Sequence, residues 1–178
     1  MPLIRNGRLV PHGWTLVAED EAIPRAGDVV LPLLTLIGAG EAVFRRDGRT
    51  GVALAGDADL GLIAPRLGEL SLVTIAFPSF ADGRGFSLAH ELRHTWRYSG
   101  EIWARGHLIP DQFGSARACG FDAVLVDDAV FRRQGEAGWT RASRDLKLRY
   151  QQSHGGYDGA PRSILALRRE ARRLQAAE

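Results

Sequence analysis

Residues 72–96, LVTIAFPSFADGRGFSLAHELRHTW, hold an apolar run, a glycine-bearing loop and a periodic stretch in immediate succession. Leu72–Phe77 is continuously apolar but for Thr74 and is closed by Pro78, the pattern of a buried strand. From Ser87 to Trp96, Leu88, Leu92 and Trp96 recur at four-residue spacing, which predicts a helix with that stripe toward the core. Between them stand Asp82, Gly83, Arg84 and Gly85. Glycines permit backbone conformations closed to other residues, and a following helix N-terminus offers free N–H groups with partial positive charge. Such a loop suits an anion, and it equally suits a plain tight turn.

The strand–loop–helix unit repeats outward. Strand Gly51–Ala55 and helix Asp59–Leu67 precede it. Strand Glu101–Arg105, helix Asp111–Cys119, strand Asp122–Val126, a helix over Ala129–Ala142 and a strand at Leu146, Leu148 and Tyr150 follow. Repeated units of this kind predict an α/β fold with a mostly parallel sheet and right-handed crossovers. Periodicity leaves open whether that sheet is open or an incomplete β/α barrel. Upstream, Asn6-Gly7 between two apolar stretches predicts an N-terminal β-hairpin, and Leu33–Phe44 reads as a helix weakened by Gly38 and Gly40. Residues 1–151 are expected to form one domain, hairpin 1–18 included. Residues 152–178 are expected to form a linker and a basic C-terminal helix with Ile164, Leu167, Ala171 and Leu174 on one stripe.

The chain has 178 residues, enough for one sizeable core and too few for a standard eight-fold β/α barrel of about 250 residues. No apolar stretch is long enough to span a bilayer, and the opening MPLIRNGRLV lacks a secretory-type apolar segment, so the expected location is cytoplasmic, with no membrane partner. Cys119 is the only cysteine, which excludes an internal disulfide and any all-cysteine metal site within the chain. The formal net charge is only +2, a poor match for nucleic acid, and the Arg-rich tail reads as a solvated face, a partner contact or a homo-oligomer contact. No Gly-rich dinucleotide loop, Walker loop or flavin fingerprint is present, so the cofactor is unknown.

Ligands of parallel sheets collect where the strands end at their carboxyl side. Three consecutive loops there supply Asp82, Gly83, Arg84, Gly85 and Ser87; then His107, Asp111 and Gln112; then Asp127 and Asp128. Arg84 and Arg105 could grip an oxyanion by forked hydrogen bonds, with Ser87, Gln112 and helix N–H groups completing the shell. Alternatively Arg84 pairs with Asp82 or Asp111, and Ser87 and Asp111 cap helices. His107 and Asp111 are the candidate acid–base pair. HELRH also matches the H-E-x-x-H zinc-hydrolase pattern, with His90 and His94 as ligands, Glu91 as base and a third ligand from His107 or an aspartate. Leu88, Leu92 and Trp96 on the core side place those histidines at the flank, so no metal is expected.

The blocks FPSFADGRGFS, GEIWARGHLIPDQ and ARACGFDAVLV resemble a bacterial family of unknown function labelled as an oxidoreductase of sulfite reduction; with MPLIRNGRLV and GDVVLPL the similarity covers residues 1 to about 127. Its motif positions fall on Phe77, Pro78, Asp82, Gly83, Arg84, Gly85, Gly100, Glu101, Gly106, Asp111, Gln112, Arg117, Cys119 and Gly120–Asp122, and depart from the pattern at Trp103, His107 and Gly114. The resemblance implies an accessory protein or oxidoreductase of assimilatory sulfite reduction that binds a sulfur oxyanion or similar small anion. A non-catalytic adaptor docking on sulfite reductase, or on another sulfur-assimilation enzyme, is the alternative.

Overall fold

A computed structural model describes residues 1–145, and Met1–Ser143 forms one compact unit. The expected strand at Leu146–Tyr150, the domain boundary after residue 151 and the C-terminal helix lie outside the described residues.

Eight strands form one curled sheet in the order β2-β1-β8-β7-β6-β5-β4-β3, a half-barrel. They are β1 (Leu3–Arg5), β2 (Arg8–Val10), β3 (Thr15–Leu16), β4 (Val29–Pro32), β5 (Thr50–Leu54), β6 (Leu72–Phe77), β7 (Glu101–Gly106) and β8 (Ala123–Val126). From β3 to β8 the strands are parallel and each lies beside its successor in sequence. That monotonic order decides between open sheet and partial barrel: successive right-handed crossovers in one direction place every connection on one face, and the sheet curls away from it. The hairpin forms as its Asn-Gly turn requires, with Asn6 and Gly7 both at positive φ, and β1 joins β8 antiparallel.

Strand alternation gives the two faces different jobs. Leu31, Val52, Leu54, Ile75, Phe77, Ala104 and Val124 form the convex face and are buried on the helix side of the sheet, where the helix Leu33–Ala39 packs on β4 and β5 and α2 (Arg84–His94) packs on β6 and against α3 (Phe113–Cys119). Phe77, Phe86 and Phe121 meet there edge-on or tilted, with ring centroids 5.0 to 6.2 Å apart. The concave face carries Leu3, Val30, Leu72, Trp103, Ala123 and Leu125. Residues Pro11–Trp14 lead from β2, one edge, to β3, the other, and so cross this concave face; Trp14 and His12 pack against Trp103 at 6.3 and 5.7 Å between centroids.

Five expected helices differ from their readings, Asp111–Cys119 in being a 3-10 turn at Pro110–Gln112 followed by α3 from Phe113. Asp59–Leu67 is two 3-10 turns, Leu60–Leu62 and Ala64–Glu69, because Pro65 offers no N–H and Gly61 and Gly68 carry the lowest helix propensity short of proline. Leu33–Phe44 splits into α1 (Leu33–Ala39) and a 3-10 stretch Gly40–Arg45, with Gly40 at φ +58 stopping the α-helix. The helix expected over Ala129–Ala142 is α4 (Asp128–Asp145), broken at Gly135, whose φ of 65 and ψ of 164 are non-helical. The helix expected from Ser87 begins three residues earlier, at Arg84, which changes the loop that precedes it.

Candidate functional site

The carboxyl rim is built from the residues that follow β5, β6, β7 and β8. Arg84 opens α2 there, with Gly83 as the residue before the first turn. Its guanidinium donates to both oxygens of Asp82, at 3.0 and 2.8 Å, and to Asp57 in the loop after β5, at 2.5 Å. The side-chain bond from Arg84 holds the Asp82 carboxyl below the usual aspartate range, and the same pair raises the Arg84 guanidinium further. Arg84 is therefore a clasp between two loops, closer to the surface-pair reading than to the anion-gripping one. Asp57, twenty-seven positions upstream, has no signal in the local pattern.

The two glycines flanking Arg84 also differ from the expectation of special backbone geometry. Gly83 has φ −89, open to any residue, and Gly85 sits inside the helix at an ordinary φ. What Gly85 supplies is closeness: a Cβ there would stand 2.7 Å from the Phe77 ring and 3.0 Å from Ile75, so its absence lets α2 lie directly on β6. Gly85→Ala is expected to lose about 1–2 kcal/mol, overpacking outweighing the gain in helix propensity, as a lowered urea midpoint at unchanged m-value. Ser87 is exposed within the helix rather than capping it, because the helix starts earlier.

The remaining rim residues are tied locally. His107 Nδ1–H donates to the Pro78 carbonyl at 2.8 Å, leaving Nε2 exposed. Gln112 donates to the Phe80 carbonyl at 2.7 Å and accepts from the Ile109 N–H at 3.3 Å, joining the loops after β6 and β7. Asp111 lies in the first turn of Pro110–Gln112 with its side chain exposed; the structure brings it no hydrogen bond from His107 among the described residues. Asp127 accepts from the N–H groups of Ala129 and Val130, and the Ala129 bond is the main reason its carboxyl titrates low. Asp128 pairs with the amino group of Met1 at 3.3 Å.

Arg105 is the exception. It is the last but one residue of β7, on the concave face, in register with Ala76 and Leu125, and is half-buried. Among the described residues its guanidinium makes neither a hydrogen bond nor an ion pair. Burial alone shifts it, downward, with no carboxylate contribution. Four acids of the rim loops are engaged elsewhere, Asp57 and Asp82 by Arg84, Asp127 by main-chain N–H groups and Asp128 by the Met1 amine.

His90 and His94 do come together on the exposed side of α2, ring centroids 4.1 Å apart. Glu91 accepts from the Trp96 indole at 3.1 Å, and His107 belongs to the rim after β7. Among the described residues no group of three or more His, Cys, Asp or Glu gathers to hold a metal. The informative residue of HELRH is Arg93. It donates to the carbonyls of Tyr98, Gly100 and Gly120, at 2.7, 2.7 and 3.0 Å, and to Asp122 at 2.5 Å.

An incomplete β/α barrel with polar side chains gathered at the carboxyl rim is the class of protein that this fold and rim define. The chain belongs to the family described as bacterial protein of unknown function (DUF934), whose model matches residues 51–159. The match begins in β5, so the opening segment that shares the resemblance lies before it. Among curated proteins none matches the chain. No helix of the described residues is long and apolar enough to cross a membrane.

Proposed function

We propose that the chain serves sulfite reduction, as an accessory protein or oxidoreductase, by binding a small sulfur oxyanion at the carboxyl rim with Arg105 as the gripping group. The pathway rests on the resemblance of the FPSFADGRGFS, GEIWARGHLIPDQ and ARACGFDAVLV blocks. The observation that carries the anion site is Arg105 itself, half-buried and unpaired among the described residues, at the strand end where such ligands collect. Arg84 holds the adjoining loops in place, and Gln112 and His107 fix the loops that follow β6 and β7.

Sulfite or sulfate at about ten times its Kd should stabilise the protein by about 1.4 kcal/mol and raise Tm by about 3 °C against chloride at equal ionic strength. Arg105→Ala should abolish that rise. Arg84→Ala should lower the starting Tm and leave the rise in place. No response at millimolar oxyanion, or an undiminished one in Arg105→Ala, rejects the site.

A further inference from the structure

The stretch HELRH lacks the ligand set of a hydrolytic zinc centre and keeps one part of it, a pair of imidazoles. Residues four apart on a helix differ by about 40° around its axis, so their side chains stand one above the other on a single face. Gly85, Leu88, Ala89 and Leu92 turn inward and are buried, which sends His90 and His94 to the opposite side, where both are exposed. The two rings meet there, with centroids 4.1 Å apart and planes inclined by 33°. Among the described residues neither ring has a hydrogen-bond partner, so two neighbouring nitrogen donors are open to solvent.

The chemistry of that pair is selective. Each neutral imidazole offers one nitrogen lone pair, and metal–nitrogen bonds of about 2.0–2.1 Å put two adjacent ligand atoms about 3 Å apart. Exposed rings at 4.1 Å reach that separation by side-chain rotation, without displacing the helix. Hydrolytic zinc chemistry needs a third protein ligand and a free carboxylate base. Among the described residues no third His, Cys, Asp or Glu joins the pair, and Glu91 is held by the Trp96 indole at 3.1 Å. Two protein ligands, with the remaining positions left to water, make an open and exchangeable site instead of a closed structural one. Imidazole suits zinc(II), nickel(II) and, most strongly, copper(II), whereas the hard ions magnesium and calcium take oxygen ligands.

We propose that His90 and His94 together chelate one late first-row divalent cation, copper(II) most tightly, on the exposed face of α2. The site is independent of the oxyanion reading of Arg105, which belongs to the carboxyl end of β7. Either reading can fail without the other.

Calorimetry and copper EPR on the full chain test it. The tightest copper(II) site should show two coordinated nitrogens. Nickel(II) and zinc(II) should bind more weakly, and magnesium and calcium should not bind. His90→Ala and His94→Ala should each weaken copper(II) by about tenfold or more, since a second ligand tethered beside the first binds without a second encounter. Thr95→His in the His94→Ala chain keeps the number of histidines but moves the second ring about 140° around the helix from His90, and should not restore binding. All of these positions are exposed, and urea midpoints taken without metal check that each variant folds. A single coordinated nitrogen, undiminished copper(II) binding in either alanine variant, recovery in the Thr95→His chain, or no copper(II) uptake at micromolar concentration overturns the site and leaves Arg105 untouched.

Discussion

Arg93→Ala is expected to destabilise the protein by about 3 kcal/mol, more than any substitution at the histidines that flank it. The side chain leaves α2 and reaches the residues before β7 and before β8. Its five-donor fork is nearly filled: three carbonyls and one carboxylate oxygen lie within 3.0 Å of its nitrogens. Asp122 completes the joint, since the same Oδ2 also accepts from the Ile102 N–H at 2.8 Å and so fixes the start of β7. Truncation strands several partly buried acceptors and an uncompensated carboxylate, which costs more than the pair itself contributes. Lysine restores the charge without the fork and should recover less than half the loss. His90→Ala and His94→Ala, on the exposed side of the helix, should stay within about 0.5 kcal/mol. Urea unfolding of the four variants measures all of this. Near-neutral behaviour of Arg93→Ala, or larger losses at the histidines, would refute the assignment.

The same joint shows what was legible in the sequence and what was not. β6 is legible to the residue because its apolar run ends at a proline, and both signals are local. The chain of alternating strands was legible for the same reason. α2 starts three residues before the position that local pattern gives it, because Gly85 looks like a breaker to any local rule, whereas its lack of a Cβ answers to Phe77 and Ile75 on the neighbouring strand. Arg84 was legible as a rim residue and not as a clasp, because Asp57 arrives from a different crossover. Arg93, twenty-nine positions before Asp122, was invisible inside a motif whose histidines attract attention. The curl of the sheet needed strand order, and the joining of β1 to β8 brings together residues from opposite ends of the described chain. Local pattern thus located the elements and the rim. The partners that decide what each rim side chain is free to do come from distant segments.

Gly106→Ala should be as damaging as the loss of Arg93, about 3 kcal/mol, and should also remove the oxyanion response. Gly106 ends β7 with φ +120, where an L side chain is strained, and its missing Cβ would fall on the carbonyl oxygen of Phe77. That oxygen is already committed, accepting from the His107 N–H at 2.9 Å, while the Gly106 carbonyl accepts from the Asp127 N–H at 3.0 Å. A methyl group there cannot be relieved by a rotamer change, because the obstacle is main chain. Either β6 and β7 separate at their carboxyl ends or the peptide rotates and gives up both bonds. Each outcome displaces Arg105 on one side and His107 on the other, so stability and ligand response should fail together. Gly38→Ala is the matched control: it lies within α1 with nothing within 4 Å of its Cβ position, and it should gain about 0.5 kcal/mol with the ligand response intact. A variant that kept full stability yet lost the response would place the residue in direct contact with the anion. A variant that lost stability and kept the response would separate the rim from the β6–β7 junction and contradict the placement of Arg105.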